Sequence, residues 1–167
     1  MRGVFTLLRF LVFFTVPGTT TLAGQAPAFV GTWRLVSFHA RDSAGAISYT
    51  LGEHAEGRLM YDAAGNMSVQ MMSSGRSHFS AADVRGGTVE EKSRALDGYS
   101  AYYGRYTVDT ALRAITHHID GALFPNWTST ILVRTYRFED ERLTLTTAPM
   151  TVGGRRVRSE LVWERMR

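Results

Sequence analysis

A chain of 167 residues, 44% of them hydrophobic, has the length of one domain and can bury most of its surface around a single core. It contains no cysteine, which excludes disulfides, thiolate metal sites and a lipid-modified N-terminal cysteine, so stability has to come from the core alone. The formal charge of +4 falls to +2 without Arg2 and Arg9, because 17 of the 19 basic residues then face 15 acidic ones; the remainder are dispersed, and no nucleic-acid partner is expected.

Residues 1–26 have the layout of a secretory signal: Arg2 and Arg9, an apolar run from Phe10 to Val16, a Pro17-Gly18 break and small residues up to Ala28. That run is too short for a hydrocarbon core, which takes about 20 residues. Cleavage near Ala23 to Ala26, export to the periplasm or beyond the cell, and no stable membrane insertion afterwards are the expectations. The folded domain is taken as 29–167.

From Gly31 onward the chain reads as short segments of period-two alternation separated by glycine or acidic turns, the pattern of an antiparallel sandwich or barrel. Gly31 to His39 alternates Trp33, Leu35 and Ser37 against Arg34, Val36 and Phe38. A weaker strand lies near Ile47 to Leu51. Glu56 to Asp62 and Asn66 to Met72 form a hairpin across Ala63-Ala64-Gly65. Between Ser73 and Gly87 the chain is irregular, and long connections of this kind are mobile or functional. Thr88 to Glu91 then spells a capping box, which opens a helix that should end near Gly98. Tyr102 to Asp109 pairs with Ala114 to Gly121, Thr130 to Glu139 pairs with Leu143 to Thr147, and Ser159 to Arg165 closes the chain. Arg155, Arg156 and Arg158 read as a solvated hairpin turn. Eight or nine strands in all are enough to remove free sheet edges by closing a barrel.

The stretch Thr116 to Trp127, THHIDGALFPNW, concentrates the side chains with chemistry. Alternation sends His117 to one face with Ile115 and Ile119, and His118 to the other with Thr116 and Asp120. The two histidines therefore cannot chelate one metal, and His118 with Asp120 supplies only two ligands where zinc takes three or four. No metal or cofactor is expected. His117 is the candidate for the interior, either as a satisfied core histidine or as a group that hydrogen-bonds a ligand or transfers a proton. Pro125 cannot sit in a central strand, which makes Leu123 to Trp127 a rim loop where Phe124 and Trp127 can cover an apolar molecule and Asn126 can orient it. Tyr102 and Tyr106 share one strand face; Met67, Val69 and Met71 share another. If both turn inward they line either an adaptable apolar cavity or a filled core.

The set "GTWRLVS", "GRLMYDAAGNMSVQMM", "YGRYTVD", "THHIDGALFPNW" and "LVWER" resembles the bacterial and fungal lipocalin-like domain family and spans nearly all of the chain beyond the leader. The resemblance implies an all-β, antiparallel barrel of eight to nine strands, with one short helix inserted after the fourth strand. It also implies that Trp33 of the Gly-x-Trp on the first strand is covered by Arg165 of the last, sealing one end, so both are assigned to structure.

Three functions fit these residues. The first is an exported barrel that binds a small, largely apolar molecule through His117, Tyr102, Tyr106, Met67, Val69, Met71, Phe124, Asn126 and Trp127. The second is an isomerase- or cyclase-type enzyme in the same cavity, with His117, Tyr102 and Tyr106 as acid/base candidates. The third is an envelope or interaction protein with a filled core. Nucleophilic hydrolysis has no support, since no Gly-x-Ser-x-Gly elbow occurs, and no glycine-rich phosphate loop is present.

Overall fold

The computed structural model describes residues 26–167, so the leader reading lies outside it except at Ala26. A short helix, α1 (Ala26–Phe29), precedes β1 (Gly31–Asp42), β2 (Ile47–Ser48), β3 (Glu56–Tyr61) and β4 (Asn66–Met72). After α2 (Val89–Asp97) come β5 (Tyr99–Asp109), β6 (Ala114–Ala122), β7 (Ile131–Glu139), β8 (Arg142–Thr147), β9 (Met150–Val152) and β10 (Arg155–Arg165). The strands follow the order β2-β1-β3-β4-β5-β6-β7-β8-β10-β9, and β1 also pairs with β10. Eight strands thus close an antiparallel barrel, which leaves no edge on the main wall. The short β2 and β9 extend it at one end.

The tenth strand arises from Gly153 and Gly154, both at positive φ, which return the chain so that Val152 pairs with Arg155. The turn therefore precedes the arginine cluster, and Arg155, Arg156 and Arg158 belong to β10, with Arg155 bridging to Asp42 at 2.9 Å.

Alternation places one side of each strand inside. Leu59 and Tyr61 on β3, Met67, Val69 and Met71 on β4, Tyr102 and Tyr106 on β5, and Ile115 and Ile119 on β6 are all buried in one core. On β1 the phase changes. Register slips between Leu35 and Ser37, a β-bulge opposite β10, so Phe38 and Ala40 join Trp33 and Leu35 on the inner side. Simple alternation puts Phe38 outside; the extra residue reverses it. A second slip between Tyr103 and Gly104 brings β5 against β6 so closely that a Cβ on Gly104 would meet the His118 carbonyl oxygen at 1.9 Å.

The helix forms as its sequence dictates. Thr88 accepts from the Glu91 amide, the Glu91 carboxylate accepts from the Thr88 amide at 2.7 Å, and Gly98 ends the last turn. No α2 residue is buried, and it leads directly into β5 beside the barrel mouth. The irregular stretch before it is tied down: Arg76 donates to the Ala95 carbonyl at 2.9 Å, and the Ser80 amide donates to Glu91 at 2.8 Å.

At the opposite end the barrel is sealed. The Arg165 guanidinium stacks over the Trp33 indole, 4.2 Å from its centroid, and donates to the carbonyls of Val30 (2.6 Å) and Ala28. The Trp33 indole N–H donates to the Phe29 carbonyl at 2.8 Å, and the Phe29 ring plugs the opening edge-on against Tyr136 and Phe138 at 4.9 Å. Gly31 explains the Gly-x-Trp spacing: it sits at φ +140°, and a Cβ there would meet Arg165 Nη1 at 2.7 Å. Trp33→Ala is expected to cost roughly 3–5 kcal/mol, as expected for a fully buried aromatic. Arg165→Ala should cost less, and a double-mutant cycle by chemical denaturation should give a coupling of roughly 0.5–3 kcal/mol. Strict additivity would mean that the stacked pair contributes nothing.

Candidate functional site

At the end away from the seal, the tips of β4, β5, β7, β8 and β10 surround a cavity of about 480 Å³. Its walls are mainly apolar, from Phe38, Leu51, Met71, Leu132 and Leu161, with Phe124 and Trp127 at the rim. Trp127 belongs to a single 3-10 turn, Pro125–Trp127, and packs edge-on against both Tyr102 and Phe124. Proline at the start of this turn uses no backbone amide, which is why the segment leaves the sheet here. A larger concavity, about 570 Å³, lies at the seal itself, where Trp33, Tyr136 and Phe138 meet the charged side chains of Arg113, Arg137, Asp140, Glu141 and Arg165.

Few polar groups reach the cavity at depth. Tyr102 and Arg134 form part of its wall, with Ser159 beside them; Asp97 lies exposed at the mouth. Arg134 is 8% exposed, points inward from β7 with Tyr136, and has its guanidinium 5.7 Å from the Tyr102 ring centroid. Its hydrogen bond is to the Leu132 carbonyl at 3.2 Å, and none of the ion pairs among the described residues includes it.

His117 lies below this floor. It is 0% exposed, with Nε2 2.6 Å from the Tyr61 hydroxyl and Nδ1 3.1 Å from the Tyr102 hydroxyl. Burial, then the charge of Arg134, then that of His118, hold its pKa well below 6.5, so the ring is neutral. Burial likewise raises both phenols, Tyr61 well above 10, and both keep their protons. A neutral imidazole offers one N–H and one acceptor nitrogen, and each phenol brings one O–H. Three hydrogens therefore meet two contacts, and one hydroxyl hydrogen must point elsewhere.

The structure thus separates the residues singled out from the sequence. Tyr102, Met71, Phe124 and Trp127 meet at the cavity. His117 connects to it only through Tyr102. Met67 and Val69 are packed in the core nearer the seal, and the Tyr106 hydroxyl donates to the Asp62 carbonyl at 2.9 Å. Asn126 is exposed and is not part of the cavity wall. His118 faces outward as alternation requires, bonded at 3.0 Å to Thr107 across the β5–β6 pair instead of to Asp120. No three His, Asp or Glu side chains among the described residues converge as a metal site. Two residues the sequence reading passes over are central. Tyr61 is recoverable from its shared face with Leu59, and Arg134 from its shared face with Tyr136 and Phe138.

A sealed eight-stranded barrel with an apolar mouth defines a lipocalin-like architecture. The chain belongs to the lipocalin-like domain family, whose sequence model matches residues 30–166. Among curated proteins it is 31% identical over 107 residues to the 4'-hydroxy-3'-methoxypropiophenone carrier protein of Aspergillus oryzae, covering 60% of this chain and 96% of that one. Among solved structures it is similar to the REP1-NXSQ fatty acid transporter at 12% identity and a TM-score of 0.39, over 84% of this chain and 98% of that one, a likeness too distant to bear on function.

The neutral His117 makes a pH dependence testable. Below about pH 6.5 the unfolded chain takes up a proton that the folded chain refuses, so this component of stability is complete above that pH and declines as the pH falls, by up to about 1.4 kcal/mol per unit. Urea denaturation at pH 7.5 and 5.0 should show wild type losing more stability than His117→Gln. Equal losses would mean that the ring protonates within the fold.

Proposed function

We propose that this protein is an exported carrier that takes a small, largely apolar molecule into the open end of its barrel. The observation that carries the reading is the contrast between the two ends: one plugged by Phe29, Trp33 and Arg165, the other holding a cavity of about 480 Å³ with apolar walls and few polar groups. The name of the fungal relative, a carrier of an aromatic ketone, supports the same reading. The leader-like residues 1–26 support export. An acid/base enzyme in this cavity would have to act through Tyr102, since both His117 ring nitrogens are engaged below the floor.

Titration with the neutral dye N-phenyl-1-naphthylamine and with 4'-hydroxy-3'-methoxypropiophenone should give saturable binding of one equivalent. Trp127→Ala should weaken it by about tenfold, as expected for loss of part of an apolar contact surface. Absence of saturable binding to either compound would favour a filled-core interaction protein, and consumption of ketone beyond one equivalent would favour an enzyme.

Processing is tested separately. Phe29 plugs the barrel and the Ala28 carbonyl accepts from Arg165, so a cut after Ala28 would damage the seal. Amino-terminal sequencing of exported protein should find a start between Gly24 and Ala28. An intact Met1 in the exported pool would overturn the leader.

A further inference from the structure

We infer that Arg134 and Tyr102 form an anion subsite at the floor of the cavity, and that the ligand is an amphiphilic monocarboxylate bound acid-first, with its apolar body toward Phe124 and Trp127. This rests on the carrier reading and specifies its ligand class.

The argument begins with the cost of Arg134. A guanidinium keeps its charge at any pH at which the protein folds and carries five N–H donors. Placing it inside a barrel without a counter-charge is unfavourable unless something supplies one. Its contacts, the Leu132 carbonyl and the face of Tyr102, are a weak return for that cost. Among the described residues, the one buried side-chain polar atom with no hydrogen-bond partner is Trp163 Nε1, so the remaining Arg134 donors are not shut into the core. They face the cavity that Arg134 lines. Asp97, the acid on the same cavity, sits at the mouth with its carboxylate 3.5 Å from Ser93 Oγ and forms no ion pair.

The spare hydrogen described above supplies the second donor. Tyr61 lies at the sealed side, enclosed by Phe29 and Tyr106, and its 2.6 Å contact is the length of a hydroxyl donating to Nε2. Nδ1 then carries the proton and donates to the Tyr102 oxygen, which frees the Tyr102 O–H. Tyr102 is the member of the pair that borders the cavity. A free O–H and a guanidinium fork converge on one apolar-walled space, and both ask for acceptor oxygens. The planar fork matches a carboxylate, and a single positive charge balances one negative charge better than the two of a phosphate monoester. The remaining wall, from Phe38, Leu51, Met71 and Leu161, selects an apolar body.

The test compares decanoate with methyl decanoate and decan-1-ol as competitors of N-phenyl-1-naphthylamine at pH 7.5. Wild type should bind decanoate at least about tenfold more tightly than either neutral compound, the range expected for a charge-assisted hydrogen bond. Arg134→Leu should abolish that preference, keep binding the dye and methyl decanoate, and melt at a higher temperature than wild type without ligand. Tyr102→Phe should reduce the preference without abolishing it. If the leucine variant does not fold, Arg134→Gln carries the same comparison. Equal affinity of wild type for acid and ester, with the dye still bound, overturns the anion subsite and leaves the carrier reading standing. A preference for decanoate that survives in Arg134→Leu overturns it as well. Failure of wild type to bind the dye or any of the three competitors overturns the carrier reading and this inference with it.

Discussion

The stacking of Arg165 on Trp33 determines which end of the barrel can hold anything. Arg165 lies at the end of β10 and Trp33 near the start of β1, so their contact exists only when the first and last strands are paired in register. The same guanidinium reaches back to the carbonyls of Val30 and Ala28 and thereby fixes the entry of the chain, which sets Phe29 as the plug. One cation thus joins three separate parts of the fold: closure of the sheet, direction of the amino-terminal segment and filling of one end. Because that end is filled with aromatic rings, the concavity left there is ringed by charged side chains, and the mainly apolar cavity lies at the other end.

Between the plug and the cavity lies a polar layer. Tyr61, His117 and Tyr102 run in a line from the sealed side to the open side, and each is held in its uncharged form by burial. In a medium of low polarity such a chain is directional: reversing one hydrogen bond requires reversing the next. The cavity floor is therefore chemically connected to the plug, although no ligand could reach it. Among the described residues Arg134 adds the one permanent charge at this depth, and its field reinforces the burial that keeps His117 uncharged.

Much of this architecture is legible from residue order because period-two alternation survives wherever the sheet is regular. The inward sets Met67, Val69, Met71 and Ile115, His117, Ile119 follow directly from it, as does the separation of His117 from His118. The capping box at Thr88 is equally readable, since both of its bonds are local in sequence. What escapes is set by distant partners. The bulge after Leu35 is a mismatch with β10, more than 100 residues away, and nothing in β1 itself marks the phase change that turns Phe38 inward. On β7 alternation is present but misleading. Ile131, Val133 and Thr135 are all β-branched and look like the core face, yet they point outward, while Arg134 shares the inner face with Tyr136. A charged residue on an inner face is read as an exception until the cavity that accommodates it is seen.

The three tryptophans are distributed over these environments without overlap. Trp33 lies beneath a guanidinium at the seal, Trp163 is enclosed in the core with its N–H unpaired, and Trp127 stands at the rim against Tyr102. As light emitters they divide the molecule into separate regions. Two of them report whether the barrel is folded, one beside a fixed charge and one enclosed in the core, and neither lines the open cavity. The third packs against two aromatic neighbours and borders the space that would be filled. Its spectrum is the one placed to change when that space changes from wet to dry.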